Sequence, residues 1–244
     1  MGGSCQTNGI TTRRSRHAEI INARPVKTDL EIGCAGEQLL LLLEKAVFWP
    51  REKTLLVADL HFGKPAAFRR AGLAVPESTT AHDLERLDRA LLRTGSARLI
   101  ILGDFFHSAA GRQPEMMEVV QSWREKQQRL KITLVPGNHD KRAGPPPLAW
   151  NVQSGGESCE VPPFLFCHEP KEVPGHYVLS GHIHPAISLH DKFGPGLRAP
   201  CFCFGRCRAI LPAFGTFTGM HNLQRLSGER IFAIGDDQII ELPG

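Results

Sequence analysis

The sequence predicts an α/β fold in which two mixed sheets pack together with helices outside. Three features predict it. Strand-like and helix-like segments alternate from about residue 36 to residue 185, and beyond Ala186 only short strands follow. Five apolar runs each end at an Asp, Asn or His, where open α/β sheets gather a ligand.

Residues 1–25 are polar, lack an apolar period and carry Arg13, Arg14, Arg16 and Arg24. They read as a disordered basic tail, in preference to a transit peptide. Residues 26–244 read as a single domain, a length that can bury a full core. Gly36 to Trp49 reads as two strands joined near Glu44-Lys45. The runs before Asp59, Gly103, Pro136, Cys167 and Gly181 read as buried strands, being short, apolar and closed by Gly, Pro or polar residues. Pro76 to Arg93 reads as a helix, with Pro76 at its start and Leu84, Leu87 and Leu91 on one face. Pro114 to Leu130 reads as a second, with Met116, Val119, Val120 and Trp123 turned inward. Gly144-Pro-Pro-Pro147 opens a loop expected to flank a cleft. The later strands are expected near 186–190, 200–204, 208–211, 230–234 and 238–242.

The polar ends of the five runs are Asp59-Leu60-His61, Gly103-Asp104, Gly137-Asn138-His139-Asp140, Cys167-His168-Glu169 and Gly181-His182-Ile183-His184. Glycine at 103, 137 and 181 lets the backbone turn and approach a ligand closely. Each segment alone is a common polar turn. Together they hold carboxylate, amide and imidazole ligands enough for two divalent cations. That mixture suits Mn²⁺, Fe²⁺ or Zn²⁺ better than Ca²⁺ or a structural cysteine site. Two such ions roughly 3.5–4 Å apart can clamp the attacking and leaving oxygens of a displacement at phosphorus. The expectation is therefore a binuclear phosphoesterase centre.

Composition agrees and excludes little. The net charge of +4 and pI near 8.7 permit an anionic partner without requiring one. Seven cysteines, an odd number without even spacing, argue against a disulfide framework and for a reducing cytoplasm. Cys201-Phe-Cys-Phe-Gly-Arg-Cys207 reads as a strand with Cys201 and Cys203 on one face, packed as small hydrophobes. No apolar run reaches the ~20 residues of a membrane span, no secretory apolar region stands at the start, and Gln6 breaks a myristoylation pattern.

The five segments resemble the calcineurin-like metallophosphoesterase superfamily, whose motifs run D-x-H, G-D, G-N-H-[DE], H and G-H-x-H. The resemblance implies a four-layer α/β/β/α sandwich. It implies one metal on Asp59, His61 and His184, a second on Asn138, His168 and His182, and Asp104 bridging both. His139 would act catalytically on the leaving alkoxide or the phosphoryl charge, oriented by Asp140. Residues 59–76, Gly103 to His107, His168-Glu-Pro170 and 211–219 further resemble a bacterial branch, the ligase-associated DNA damage response endonucleases (PdeM). That branch implies Mn²⁺, a DNA substrate, and an Lhr-type helicase and an ATP-dependent DNA ligase as partners. Protein phosphatases of the superfamily often carry Asp-Arg-Gly after the second motif; His107-Ser-Ala109 stands here instead.

Lys64, Arg69 and Arg70 follow the first segment and could hold flanking phosphates, as could His107; Arg112, Lys141 and Arg142 follow the second and third. The alternative is ordinary solvated charge. Phe62, Phe105 and Phe106 could stack unpaired bases or lie in the core. The leading expectation is a DNA endonuclease of repair. A phosphohydrolase of a small nucleotide or phosphomonoester would use the same metals. A non-catalytic scaffold of a helicase or ligase complex is the reading from another class.

Overall fold

The computed structural model of the chain describes Met1 and residues 28–70, 72, 78–189 and 197–244. The expected tail over 1–25, Met1 apart, and the helix start at Pro76 lie outside the described residues.

The first sheet holds seven strands in sequence order: β1 (Leu30–Cys34), β2 (Glu37–Leu42), β3 (Ala46–Trp49), β4 (Thr54–Val57), β5 (Arg98–Leu102), β6 (Lys131–Val135) and β7 (Val152–Ser154). β1 to β4 pair antiparallel through tight turns, whereas β4 to β7 pair parallel. The parallel pairs need crossovers. Helix α2 (Thr79–Thr94) crosses between β4 and β5, and α3 (Pro114–Lys126) between β5 and β6. Short α1 (Lys64–Arg70) follows β4, and α4 (Asn138–Ala143) follows β6.

The second sheet comprises β8 (Ser158–Val161), β9 (Phe164–Cys167), β10 (Tyr177–Ser180), β11 (Pro185–Leu189), β12 (Leu197–Phe204), β13 (Arg208–Ile210), β14 (His221–Asn222), β15 (Arg230–Ile234) and β16 (Ile239–Glu241). β9, β10 and β13 run parallel, and the remaining pairs are antiparallel except β11 with β14. Both sheets are therefore mixed. Among the described residues the α-helices all fall between residues 64 and 143, and α2 and α3 pack on the first sheet.

Alternation along the central strands decides what each face buries. Leu55, Val57, Leu99 and Ile101 pack with Leu84 and Leu87 of α2 and with Met116, Val120 and Trp123 of α3. Leu56, Ile100, Leu102 and Val135 turn the other way, onto Phe164, Phe166, Phe202 and Phe232 of the second sheet. Each of these buried rings contributes roughly 1.5–3 kcal/mol of burial, which holds the sheets face to face. Cys201 and Cys203 share a face as expected, within a small cluster with Ile210 and Ile231 on the opposite side of β12. Burial pushes both thiols up to about 12.

Two helix boundaries and one inward residue differ from the sequence reading. α2 ends at Thr94 because Gly95 takes a left-handed φ of 62° and its N–H meets the last carbonyls. α3 stops at Lys126, not Leu130, because the buried Arg124 guanidinium donates to the carbonyls of Gln127, Trp150 and Leu130. Val119 is 38% exposed: Met116, Val120 and Trp123 form the buried stripe, and Val119 flanks it. Strands β1, β7, β8 and β14 and helices α1 and α4 add elements that periodicity over so few residues does not reveal. Among the described residues, no helix is long and apolar enough to cross a membrane.

Candidate metal centre

The carboxyl ends of β4, β5 and β6 meet those of β9 and β10 at one seam, and all seven expected ligands lie there. The loops after β4 and β5 run side by side. The amides of Asp59, His61 and Phe62 donate to the carbonyls of Gly103, Asp104 and Phe105 at 3.2, 2.8 and 2.9 Å. Such pairing needs unusual backbone. Asp59, His61, Asp104, His182 and His184 all hold left-handed φ, between 48° and 70°. Non-glycine residues adopt this region at a cost of order 1–3 kcal/mol each, and such strain gathers at functional sites. Two glycines make the seam possible. A Cβ on Gly103 would lie 2.0 Å from Nδ1 of His168, and one on Gly137 would lie 2.1 Å from Oδ1 of Asp104.

The ligand atoms converge as two groups that include carboxylates, Asp59 with His61 and His184, and Asp104 with His168 and His182; a third cluster, of imidazoles alone, gathers His61 with His107 and His139. Nε2 of His61 and Nε2 of His184 stand 3.3 Å apart, and Nδ1 of His182 and Nε2 of His168 stand 3.0 Å apart. Oδ1 of Asn138 lies 3.0 Å from Nε2 of His168. Asp104 sits between the groups, Oδ2 at 3.6 Å from Nε2 of His61 and Oδ1 at 3.5 Å from Nε2 of His168.

Two observations test whether divalent cations fit. Nδ1 of His168 donates to the Leu102 carbonyl at 3.0 Å, and Nδ1 of His184 to the Gly219 carbonyl at 3.1 Å. These bonds place the N–H on Nδ1 and aim both Nε2 atoms at other ligand atoms, an arrangement suited to imidazoles that share a cation. The second is Asp59. Its carboxylate is fully buried, Oδ2 accepts the His182 amide at 2.9 Å, and Oδ1 has no hydrogen-bond partner. An unsatisfied buried carboxylate oxygen is costly unless a cation meets it. The residues fit two divalent ions.

Electrostatics favours the ligand forms. Burial, with Lys64, His184, His139 and His107 nearby, pushes His61 down to about 2, so its imidazole is neutral. Burial raises Asp104, while His168 and the His139 amide pull it back. Bound cations would stabilise an anionic carboxylate buried between the two groups.

His139 stands beside the ligands without joining either pair. Its ring is perpendicular to His61, centroids 4.9 Å apart. Nδ1 donates to the His107 carbonyl at 2.6 Å, leaving Nε2 for a substrate. This corrects the expected role of Asp140. The Asp140 carboxylate accepts from the amides of Gly137 and Phe106 at 2.9 and 3.1 Å. It locks the loop that carries Asn138 and His139, and a carbonyl orients the imidazole. The reason is local: Asp140 is the third residue of α4, where a carboxylate turns back to cap free amides.

The expected substrate contacts divide. Lys64 stands near enough for Asp104 and Asp59 to raise its pKa against the lowering by burial. His107 stacks on His139, centroids 4.8 Å apart at 24°, and its Nδ1 lies 3.4 Å from Nδ1 of His61. Burial, Lys64 and His139 push His107 down to about 4. Arg69, by contrast, lines a cleft between α1, α2 and α3 with Gly63, Ser78 and Met116, away from the ligands. Arg70 is exposed at the end of α1, and Lys141 and Arg142 are exposed on α4. Arg112 lies over the Phe106 ring at 4.6 Å and donates to the Ala143 carbonyl at 2.9 Å, tying α4 down. Phe62, Phe105 and Phe106 are buried in the helical-side core, which removes them as base-stacking surfaces.

With this geometry in place, the comparisons with known proteins are direct. The calcineurin-like phosphoesterase family profile matches residues 52–168. The solved structure of Pseudomonas putida nuclease MPE is 38% identical, covers 88% of this chain and 100% of its own, and superposes with a TM-score of 0.78. The chain belongs to the calcineurin-like phosphoesterase family. It is a metal-dependent phosphoesterase, and its two ligand groups fit the pair of divalent ions typical of the family. YfcE, a phosphoesterase from E. coli, is 14% identical over 78% of this chain and 97% of its own, with a TM-score of 0.38. No curated protein matches the chain.

Proposed function

We propose that this phosphoesterase is a phosphodiesterase that cuts single-stranded DNA endonucleolytically in DNA repair, with Mn²⁺ in both positions and Fe²⁺ or Zn²⁺ as possible substitutes. The observation that carries the reading is the 38% identity to a nuclease over that protein's whole length. The proposal extends to a cytoplasmic location and to action beside an Lhr-type helicase and an ATP-dependent DNA ligase.

When bound, the cations supply Lewis-acid charge to the phosphoryl oxygens and lower the pKa of water toward ~7. The chain's residues do the rest. Asp59, His61 and His184 would hold one ion and Asn138, His168 and His182 the other, with Asp104 standing between the two groups. His139 offers Nε2 to the leaving oxygen, with its ring fixed by the His107 carbonyl. Lys64 adds positive charge against a phosphate, and the His107 ring lies against His139 to limit its rotation. A small nucleotide or phosphomonoester is the second reading. It is favoured by the position of Arg69, whose cleft includes no ligand residue.

The test uses a covalently closed single-stranded DNA circle with Mn²⁺, beside chromogenic diester and monoester substrates. Linear product and faster diester than monoester hydrolysis are expected. An intact circle with rapid monoester hydrolysis would replace the nuclease reading with the small-substrate one.

A further inference from the structure

We infer that Phe68 and Phe217 form a nucleobase-stacking platform beside the metal centre, seating an unpaired base next to the phosphate under attack. The inference rests on the nucleotide-phosphodiester reading above and adds a subsite to it. A ladder of rings leaves the centre. His107 stacks on His139, and Phe68 lies over His107 at 25° with centroids 6.5 Å apart. Phe217 follows, 6.0 Å from Phe68 and tilted by 57°. Unlike the buried rings at 62, 105 and 106, Phe217 is 38% exposed and Phe68 is half-buried. Phe217 stands beside His61 and Lys64 across a gap of only about 10 Å³, so a base would lie on the outer faces of the rings and not in the gap.

The platform is held firmly. Asp83 of α2 accepts the Thr216 amide at 3.2 and 3.1 Å, and Arg86 donates to the Thr216 hydroxyl at 2.9 Å. Gly215 donates to the Asp59 carbonyl at 3.1 Å, and the Thr218 hydroxyl donates to the Gly215 carbonyl at 2.7 Å. Two residues beyond Phe217, the Gly219 carbonyl holds the metal ligand His184. One short loop therefore positions both a ligand and an exposed ring. The ammonium of Lys64 lies 5.9 Å from the Phe68 ring centre, so a cation for a phosphate and flat faces for a base stand together. That pairing is how sequence-tolerant single-strand sites are built.

The test compares wild type with Phe217→Ala, Phe217→Leu and Phe217→Trp on two small diesters, thymidine 5′-(4-nitrophenyl phosphate) and methyl 4-nitrophenyl phosphate. The readout is the ratio of kcat/KM between them. Stacking predicts that wild type prefers the nucleoside ester by about tenfold or more. The ratio should collapse in Phe217→Ala, stay low in Phe217→Leu, which keeps apolar area without a π face, and recover in Phe217→Trp. Phe68→Leu should lower it too. Equal ratios in wild type and Phe217→Ala, or full retention in Phe217→Leu, would overturn the platform. These substrates separate the two ideas. If wild type leaves single-stranded DNA intact, the endonuclease reading fails while the ester ratio still decides the platform.

Discussion

The two sheets contribute unlike chemistry to the same seam. The first brings every carboxylate and amide oxygen of the centre, Asp59, Asp104 and Asn138, along with His61. The second brings imidazoles alone, His168, His182 and His184. The first-sheet ligands follow parallel strands β4 to β6, and their carboxylates are the most deeply buried, Asp59 0% and Asp104 2% exposed. The second-sheet imidazoles take their orientation from carbonyls of other segments, Leu102 for His168 and Gly219 for His184. Carboxylates thus belong to one half, and the other contributes imidazoles alone. Removing charge from the first half should disturb both cations, whereas removing an imidazole from the second should disturb one.

Asp104→Ala should have the largest effect, since Asp104 faces both groups. Metal analysis should find neither cation retained, with activity at background. His182→Ala should keep one cation, because His182 belongs to a single group; loss of both would blur the division. His139→Ala sharpens the comparison from the other side. It removes a first-sheet residue outside the two groups that include carboxylates, so if His139 is not a ligand, metal content should stay at the wild-type level. The rate should fall by roughly 10²–10⁴ on a diester with a poor leaving group, and less on a nitrophenyl ester. Equal losses on both would point to electrostatic stabilisation in place of proton donation.

The seam itself can be stressed with Gly103→Ala. The added Cβ would strike the His168 ring, and the position needs a φ of 81°. Thermal unfolding of the metal-free protein should show a loss of about 1–3 kcal/mol, as overpacking costs, with a lower affinity for the second cation. An unchanged melting temperature would mean the sheets slide past each other easily. The smallest expected effect separates the basic residues. Lys64→Ala should lower the salt dependence of single-stranded DNA binding by about 0.7 in log–log slope, one phosphate contact. Arg69→Ala should leave it nearer wild type. The reverse order would move the DNA path onto the cleft of α1, α2 and α3.

Much of this was legible in the sequence because it depends on local pattern. β4, β5, β6, β9 and β10 are short apolar runs, and their polar ends carry the candidate ligands, so strand ends and candidate metal residues are legible together. The missing features depend on distant partners. That His139 is oriented by the His107 carbonyl, not Asp140, follows from how two loops pack, which spacing does not encode. Arg69 directly follows Phe68 yet lines the cleft with α2 and α3, and α1 is too short for periodicity to show its faces. Phe62, Phe105 and Phe106 stand next to ligands in sequence and are buried, while Phe217, far from Lys64 in the chain, shares a crevice with it. The one available signal was the run Phe214-Gly-Thr-Phe-Thr-Gly219, a Gly- and Thr-rich segment with a ring in its middle.

The central claim is that two cations sit at this seam, one on each group of ligands, with Asp104 between them. Anomalous diffraction at the manganese edge, from crystals grown with Mn²⁺, tests it most directly. Two peaks roughly 3.5–4 Å apart are predicted, one against Asp59, His61 and His184 and the other against Asn138, His168 and His182, both within bonding distance of Asp104. A single peak, or two peaks with Asp104 bound to only one, would contradict the account.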